Sequence, residues 1–191
     1  MDLVEAIRAR RSVGAFTAQP VAPELVLELL ETAVWVPNHR LTEPWRFVLL
    51  TGDSAVRYAE IRRDMALDAC ALEDEAARRQ VGEGTYQKFS GIPAFLAVIM
   101  KEHADAEIRE EDYAACCCLV QNFLLLAWAR GLGTSWKTFK RDRRLRALLG
   151  LADDETVVGW LHLGYPAGAT PPTLRSPAHT RLTVLNGATG S

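Results

Sequence analysis

Three polar stretches in this sequence have the residue types to do chemistry. Arg10-Arg11-Ser12 stands where the first predicted helix ends, before the break at Gly14. Two guanidiniums and a hydroxyl make a compact anion site, because arginine presents a rigid fork of donors that suits phosphate. The second stretch is Pro37-Asn38-His39-Arg40-Leu41-Thr42-Glu43-Pro44-Trp45, and the third is Gly131-Leu132-Gly133-Thr134-Ser135-Trp136-Lys137-Thr138. Each has an ordinary reading alone. Adjacent arginines at a helix end complement the helix dipole. A loop histidine such as His39 is commonly solvated, and Trp136 with Lys137 can form a surface cation–π pair. Together they read as three walls around one phosphorylated, planar cofactor. Nothing in the sequence gives a GxGxxG turn after a strand or a GxxxxGK[ST] loop, so a Rossmann or P-loop site is not supported. A nucleophile in a recognisable elbow is also missing, which argues against a hydrolase.

The totals limit the choices further. The net charge is −2 and the pI about 6.1, so bulk charge does not recruit nucleic acid or an anionic membrane, and any basic site is local. A chain of 191 residues buries roughly 70% of its unfolded surface and needs no staples. The cysteines are Cys70 and the run Cys116, Cys117 and Cys118. Three in a row do not supply zinc spacing, and in an apolar helical run they read as small core residues. Free thiols fit a reducing, cytoplasmic setting. The N-terminus is charged and amphipathic, unlike a signal peptide. The apolar run Cys116–Ala129 contains Gln121 and Asn122 and is too short to span a bilayer, so it is expected as a buried helix.

Periodicity then supplies the elements that hold the three stretches. Asp2 caps a helix from Leu3 to about Arg10, and Pro23 opens a second that Pro37 stops. Trp45–Thr51 reads as a strand. A long Ala-rich helix is expected over about 55–80, broken by Gly82-Glu83-Gly84, with a loop over 85–91. Ala94–Met100 is apolar on both alternations and should be a central strand. The helix from about Ile108 to Arg130 is the longest and is apolar nearly all round, so it belongs in the core or at a subunit interface. Thr134–Lys137 is short and β-like, Arg141–Leu149 is a basic helix, and Thr156–Tyr165 is a buried strand. The tail from Pro166 carries one apolar run, Leu182–Leu185, and reads as an arm. With no internal repeat and no linker, the pattern is one α+β domain over 1–191, with 166–191 as the arm.

The ordered set of motifs resembles the nitroreductase family of FMN-dependent oxidoreductases, in its short branch of roughly 190 residues. The residues that carry the likeness are Ile7-x-x-Arg10-Arg11-Ser12-x-x-x-Phe16, then Ala33-x-x-x-Pro37-Asn38-His39-x-x-x-x-Pro44-Trp45-x-Phe47. The Pro93 strand, Gly131–Trp136 and the closing Gly159-x-Leu161-x-Leu163-Gly164-Tyr165-Pro166 complete it. It covers residues 1 to about 166. The resemblance implies a mixed sheet flanked by helices, with the long helix at a homodimer interface and the arm on the partner. FMN would lie between the subunits. By position, Arg10, Arg11 and Ser12 would hold its phosphate and ribityl end, with Arg175 as a further phosphate ligand. His39 and Trp35 would come from the other subunit. Trp136, Lys137 and Thr138 would line the flavin or its phosphate, and about 121–126 would be the nicotinamide stretch.

NADH or NADPH would be the co-substrate, and the acceptor an electron-poor small molecule such as a nitroaromatic or a quinone, taken in a ping-pong cycle. The flavin would carry the chemistry, so no protein acid or base is required. Two positions depart from the family pattern. Gly14 stands where many members have a cation facing the flavin pyrimidine edge, and Lys137 is the expected substitute. Trp35 replaces a smaller or basic residue. Alternatives remain: a same-fold enzyme of flavin fragmentation or reductive dehalogenation with residues 70–90 as a lid, a flavin-binding or storage protein without turnover, and a cofactor-free basic-patch binding module.

Overall fold

The computed structural model describes residues 2–185. Met1 and the last six residues of the 166–191 arm lie outside them. Four strands form one sheet in the order β1-β2-β4-β3: β1 (Trp45–Thr51), β2 (Ala94–Lys101), β4 (Glu155–Gly164) and β3 (Gly133–Lys137). All three strand pairs are antiparallel. The mixed sheet of the family resemblance is therefore reduced, among the described residues, to one parallel bridge between Ser12 and Thr134.

Strand β2 is central, and its seven residues Ala94 to Met100 are buried. Its two faces serve different cores, because successive side chains point to opposite sides. Ala94, Leu96 and Val98 pack with α2 (Pro23–Ala33) and α5 (Ala106–Ala129), through Leu29, Leu119 and Phe123. Phe95, Ala97 and Ile99 pack with α3 (Gly52–Asp68), α4 (Glu75–Ser90) and α6 (Arg143–Leu149), through Tyr58, Phe89 and Leu145. The result is helix, sheet, helix, the α+β arrangement expected from the alternation of patterns. By length and composition α5 is long and apolar enough to cross a bilayer. Here it is a core helix: Leu119, Phe123 and Ala127 are fully buried against the sheet.

Most boundaries follow from caps. The Asp2 carboxylate accepts from the Glu5 N–H at 2.8 Å and opens α1 (Leu3–Ala9). Pro23 opens α2 at its first position, and the helix ends at Ala33, ahead of Pro37. Thr51 caps α3, and Ser54 Oγ accepts from the Thr51 N–H at 3.0 Å.

One expected element is wrong. The helix of 55–80 is two helices, and 85–91 is mostly the second of them, not a loop. The chain turns between Ala69 and Asp74, where the Asp74 carboxylate accepts from the Ala77 N–H at 2.6 Å. Gly82 does not break α4. A Cβ there would lie 3.0 Å from Leu67 Cδ2, so the glycine lets α4 press on α3.

Candidate functional site

Residues 12–17 cross the end of the sheet and tie the first polar stretch to the third. The Val13 N–H donates to the Thr134 carbonyl at 2.9 Å, and the Thr17 N–H donates to the Tyr165 carbonyl at 2.8 Å. The Ala167 N–H donates to the Ala15 carbonyl at 3.1 Å. The crossing needs Gly133: a Cβ there would lie 2.8 Å from Val13 Cγ2 and 3.0 Å from the Gly164 carbonyl oxygen.

This crossing fixes an arginine cluster at the end of α1. Arg11 Nη1 donates to the carbonyls of Arg8 and Arg10 at 2.6 Å each and so caps the helix C-terminus. Its Nε is buried without a partner. Burial, then the charges of Arg11 and Arg175, hold the Arg10 guanidinium below its ordinary value. The fold therefore sets Arg175, from the arm, among the charges that act on Arg10. Among the described residues none of these three arginines pairs with a carboxylate. Like charges held together without a counter-ion favour binding an anion.

Past Ser12 the same segment borders a cavity of about 330 Å³, lined by Val13, Gly14, Arg62, Lys88, Phe89, Ile92, Lys137, Thr138, Lys140, Trp160 and His162. Its walls carry four cations and, among the described residues, no carboxylate. Trp160 and Phe89 give it an aromatic floor. Arg62 lies over the Phe89 ring at 4.2 Å and donates to the Tyr58 hydroxyl at 3.0 Å. His162 is buried and has no hydrogen-bond partner of its own among the described residues. Burial first, then the charges of Lys137, Arg62 and Lys88, push it down to about 4, so it is neutral at pH 7. Opposite it in register is Ser135, whose Oγ is buried and unpartnered, as is Thr134 Oγ1 on the other face. Lys137 and Thr138 also line a larger groove of about 740 Å³ on the outside of β3 and α6.

The second polar stretch lies elsewhere. His39 sits in a 3-10 turn (His39–Leu41), its Nδ1 2.9 Å from Glu111 Oε1, and Thr42 donates to the buried Asp112. Asp112 and the C-terminal end of α5 are about 26 Å apart along the helix, and Thr134 follows that end. One chain therefore does not gather His39 with Arg10–Ser12. Trp35 is 84% exposed. The turn is strained, because Arg40, Leu41 and Glu43 all have positive φ, at 66°, 50° and 43°. Asn38 holds it, accepting from the Glu43 N–H at 2.8 Å and donating to Thr42 Oγ1 at 3.0 Å. Strain of this kind concentrates at functional sites.

Two stretches are mixed in burial. Within 121–126, Phe123 and Leu124 are buried and Asn122 reaches the carbonyls of Ala33 and Trp35, while Gln121 is exposed. The cysteines are mixed, with Cys116 buried and its thiol pushed up to about 12, but Cys118 exposed. Sequence reading missed Arg62, Lys88, Lys140 and His162. Only His162 left a signal, as the one ionisable side chain inside the apolar run Val157–Leu163.

The arginine cluster and the acid-free cavity beside it suit a planar ring joined to a phosphate, in an α+β sandwich. A protein built this way belongs to the class that holds a phosphorylated aromatic cofactor. The Nitroreductase family model matches residues 7–165, and the chain belongs to that family. A Bacillus subtilis protein, YfhC, provisionally named an NAD(P)H nitroreductase, is 33% identical over 189 residues, covering 96% of this chain and 94% of its own. A nitroreductase-like family protein from Bacillus cereus has a crystal structure that superposes with a TM-score of 0.82 at 34% identity, over 98% of this chain and 97% of its own. A nitroreductase with bound FMN from Bacteroides fragilis shares the fold, with a TM-score of 0.72 at 24% identity over 97% of this chain and all of its own.

Proposed function

We propose that this chain is an FMN-dependent oxidoreductase that passes hydride from NADH or NADPH to an electron-poor acceptor such as a nitroaromatic or a quinone, by a ping-pong cycle. The observation that carries the reading is the pairing of two acid-free cation sets, Arg10–Arg11–Arg175 and Arg62–Lys88–Lys137–Lys140, joined by Ser12–Gly14. Bound FMN would take hydride from the nicotinamide and deliver it to the acceptor. Arg10, Arg11 and Arg175 would hold its phosphate, and Ser12 the ribityl end. Lys137, with Lys88, Lys140 and Arg62, offsets negative charge at the ring and stands in for the cation missing at Gly14. Phe89, Ile92 and Trp160 keep water from the ring. His162, neutral at pH 7, contributes a hydrogen-bonding group and no charge.

The working unit in this reading is a homodimer with the sites between its subunits. Leu3, Val4 and Ile7 of α1 lie exposed, and so do Tyr113, Ala114, Cys118 and Gln121 at helical spacing on α5. An uncovered apolar face of that kind fits a second copy of the chain. The same copy would bring Trp35 and His39 to the flavin. The described end of the arm, with Leu182, Val184 and Leu185 exposed, would pack on that partner. Four free cysteines fit a reducing cytoplasm.

The test is the visible spectrum of the purified protein after addition of FMN and desalting. Retained flavin bands, bleached anaerobically by reduced nicotinamide and restored by a nitroaromatic, are the expected result. The Arg11→Ala variant should retain at most about a tenth of the flavin, the loss of one charge-assisted contact. A protein that takes up no flavin would overturn the reading.

A further inference from the structure

The outer groove carries a charge pattern that the flavin reading does not use. It is lined by Glu102, Tyr113, Trp136, Phe139 and Leu151, and by a cluster of charged residues around the loop 138–142. Three of its four carboxylates have an arginine partner. Glu155 takes two hydrogen bonds from Arg46 at 2.6 Å each, Asp142 is held at 2.9 Å by Arg144, which Asp68 shares, and the exposed Asp153 lies 4.0 Å from Arg146. Only Glu102 stays without an ion-pair partner among the described residues. The cations Lys137, Arg141 and Arg143 are all exposed and, among the described residues, all unpaired. The lining thus balances four cations against four carboxylates, but three of the cations stay unpaired against one carboxylate, Glu102, so the free charge of the groove is positive although the chain as a whole is net negative.

Size and position narrow the occupant. The trough shares Lys137 and Thr138 with the inner cavity, so a ligand lying in it leads directly to that cavity. At about 740 Å³ it has roughly twice the volume of the inner cavity, too much for a small aromatic acceptor alone. Two guanidiniums two residues apart, Arg141 on the loop after β3 and Arg143 at the first position of α6, suit a phosphomonoester, whose oxygens take paired N–H donors and whose second charge a diester lacks.

We propose that the outer groove docks the phosphorylated nucleotide half of the hydride donor, with Arg141 and Arg143 holding a 2′-phosphate, so that this chain uses NADPH in preference to NADH. The proposal rests on the oxidoreductase reading and names its donor. Specificity arises because NADH offers no monoester to these two arginines, while its remaining contacts are the same. Lys137, at the junction and assigned above to the flavin, is met alike by either donor and does not discriminate.

The experiment uses the FMN-loaded protein. Calorimetric titration compares adenosine 2′,5′-bisphosphate with adenosine 5′-monophosphate, for the wild type and an Arg141→Ser/Arg143→Ser variant. FMN content and the visible spectrum report that the variant is folded. The bisphosphate should bind at least about tenfold tighter than the monophosphate in the wild type, and the advantage should vanish in the variant and shrink with added salt. In parallel, the ratio of kcat/KM for NADPH to that for NADH should fall by about the same factor in the variant. Equal binding of the two nucleotides overturns the proposal, as does a preference that survives the double substitution. It falls alone if NADH bleaches the flavin as fast as NADPH. It falls with the oxidoreductase reading if neither donor bleaches bound flavin.

Discussion

Mild acid should destabilise this protein through one buried histidine before its ion-paired carboxylates titrate. His162 lies on β4 with Phe89 and Phe95 edge-on to its ring, at 6.0 Å and 5.2 Å between centroids. Lys137, Arg62 and Lys88 act on it from three other elements, and with burial they push it down to about 4. The unfolded chain takes up that proton near the ordinary value of about 6.5, so between the two values the unfolded state binds more protons than the folded one. Stability is complete above about 6.5 and is lost as pH falls toward about 4. The full shift corresponds to about 3 kcal/mol, and between pH 7 and pH 5 the linkage relation gives a loss of about 2 kcal/mol. Glu155 and Asp142, each held at about 2 by an arginine, contribute stability that persists above the carboxylate range and is lost only below about 4.5. The other three histidines are exposed. The difference between wild type and a variant without His162, over the window from about pH 6.5 to pH 5, therefore isolates His162. Urea unfolding of the flavin-free protein, followed by tryptophan fluorescence at fixed protein concentration, should show this slope. A His162→Leu variant should be nearly flat over the same range. An imidazole Cε1–H resonance that titrates near pH 6.5 in the folded protein would refute the reasoning, and so would an unchanged slope in the variant.

Three further outcomes follow from other contacts. Gly133→Val places a side chain into Val13 and the Gly164 carbonyl; it should cost about 1–3 kcal/mol and lower FMN retention, read by urea unfolding and by absorbance after desalting. Arg46→Met leaves the largely buried Glu155 with only the Ala152 N–H; because Arg46 is itself part-exposed, the loss should be about 1–2 kcal/mol at pH 7, measured by thermal unfolding. Gly14→Lys puts a cation beside the inner cavity at a position where a Cβ meets nothing within 4 Å. It should leave stability within about 0.5 kcal/mol and tighten FMN binding severalfold in a fluorescence titration.

What the sequence made legible was local. Ala94–Met100 announced a central strand because both of its alternations are apolar, and Pro23 and Asp2 announced helix starts because their roles are set within one turn. The α3–α4 turn was hidden because its signal, Asp74 as a cap, competes with an Ala-rich helical pattern on either side. The two glycines that looked like breakers lie within α4, and Gly82 serves helix packing. The arginine cluster was half legible: Arg10 and Arg11 are neighbours in sequence, while Arg175 joins them only because residues 15–17 pair with residues 165–167.

The inner cavity was hidden for a different reason. Arg62, Lys88, Lys140 and His162 come from α3, α4, the loop after β3, and β4, and each alone is an ordinary residue of its element. Their meaning is a charge balance, visible only when the fold shows that no carboxylate among the described residues comes with them. The same balance separates the two compartments. Inside, four cations surround a neutral histidine in a cavity sized for part of one ring system. Outside, arginines pair with three of the four carboxylates, and three cations stay unpaired against one carboxylate. A ligand that satisfies both must be anionic at more than one point and planar at one end. In the proposed reading a flavin mononucleotide would meet that demand within the site, and a phosphorylated nicotinamide dinucleotide would meet it along the approach.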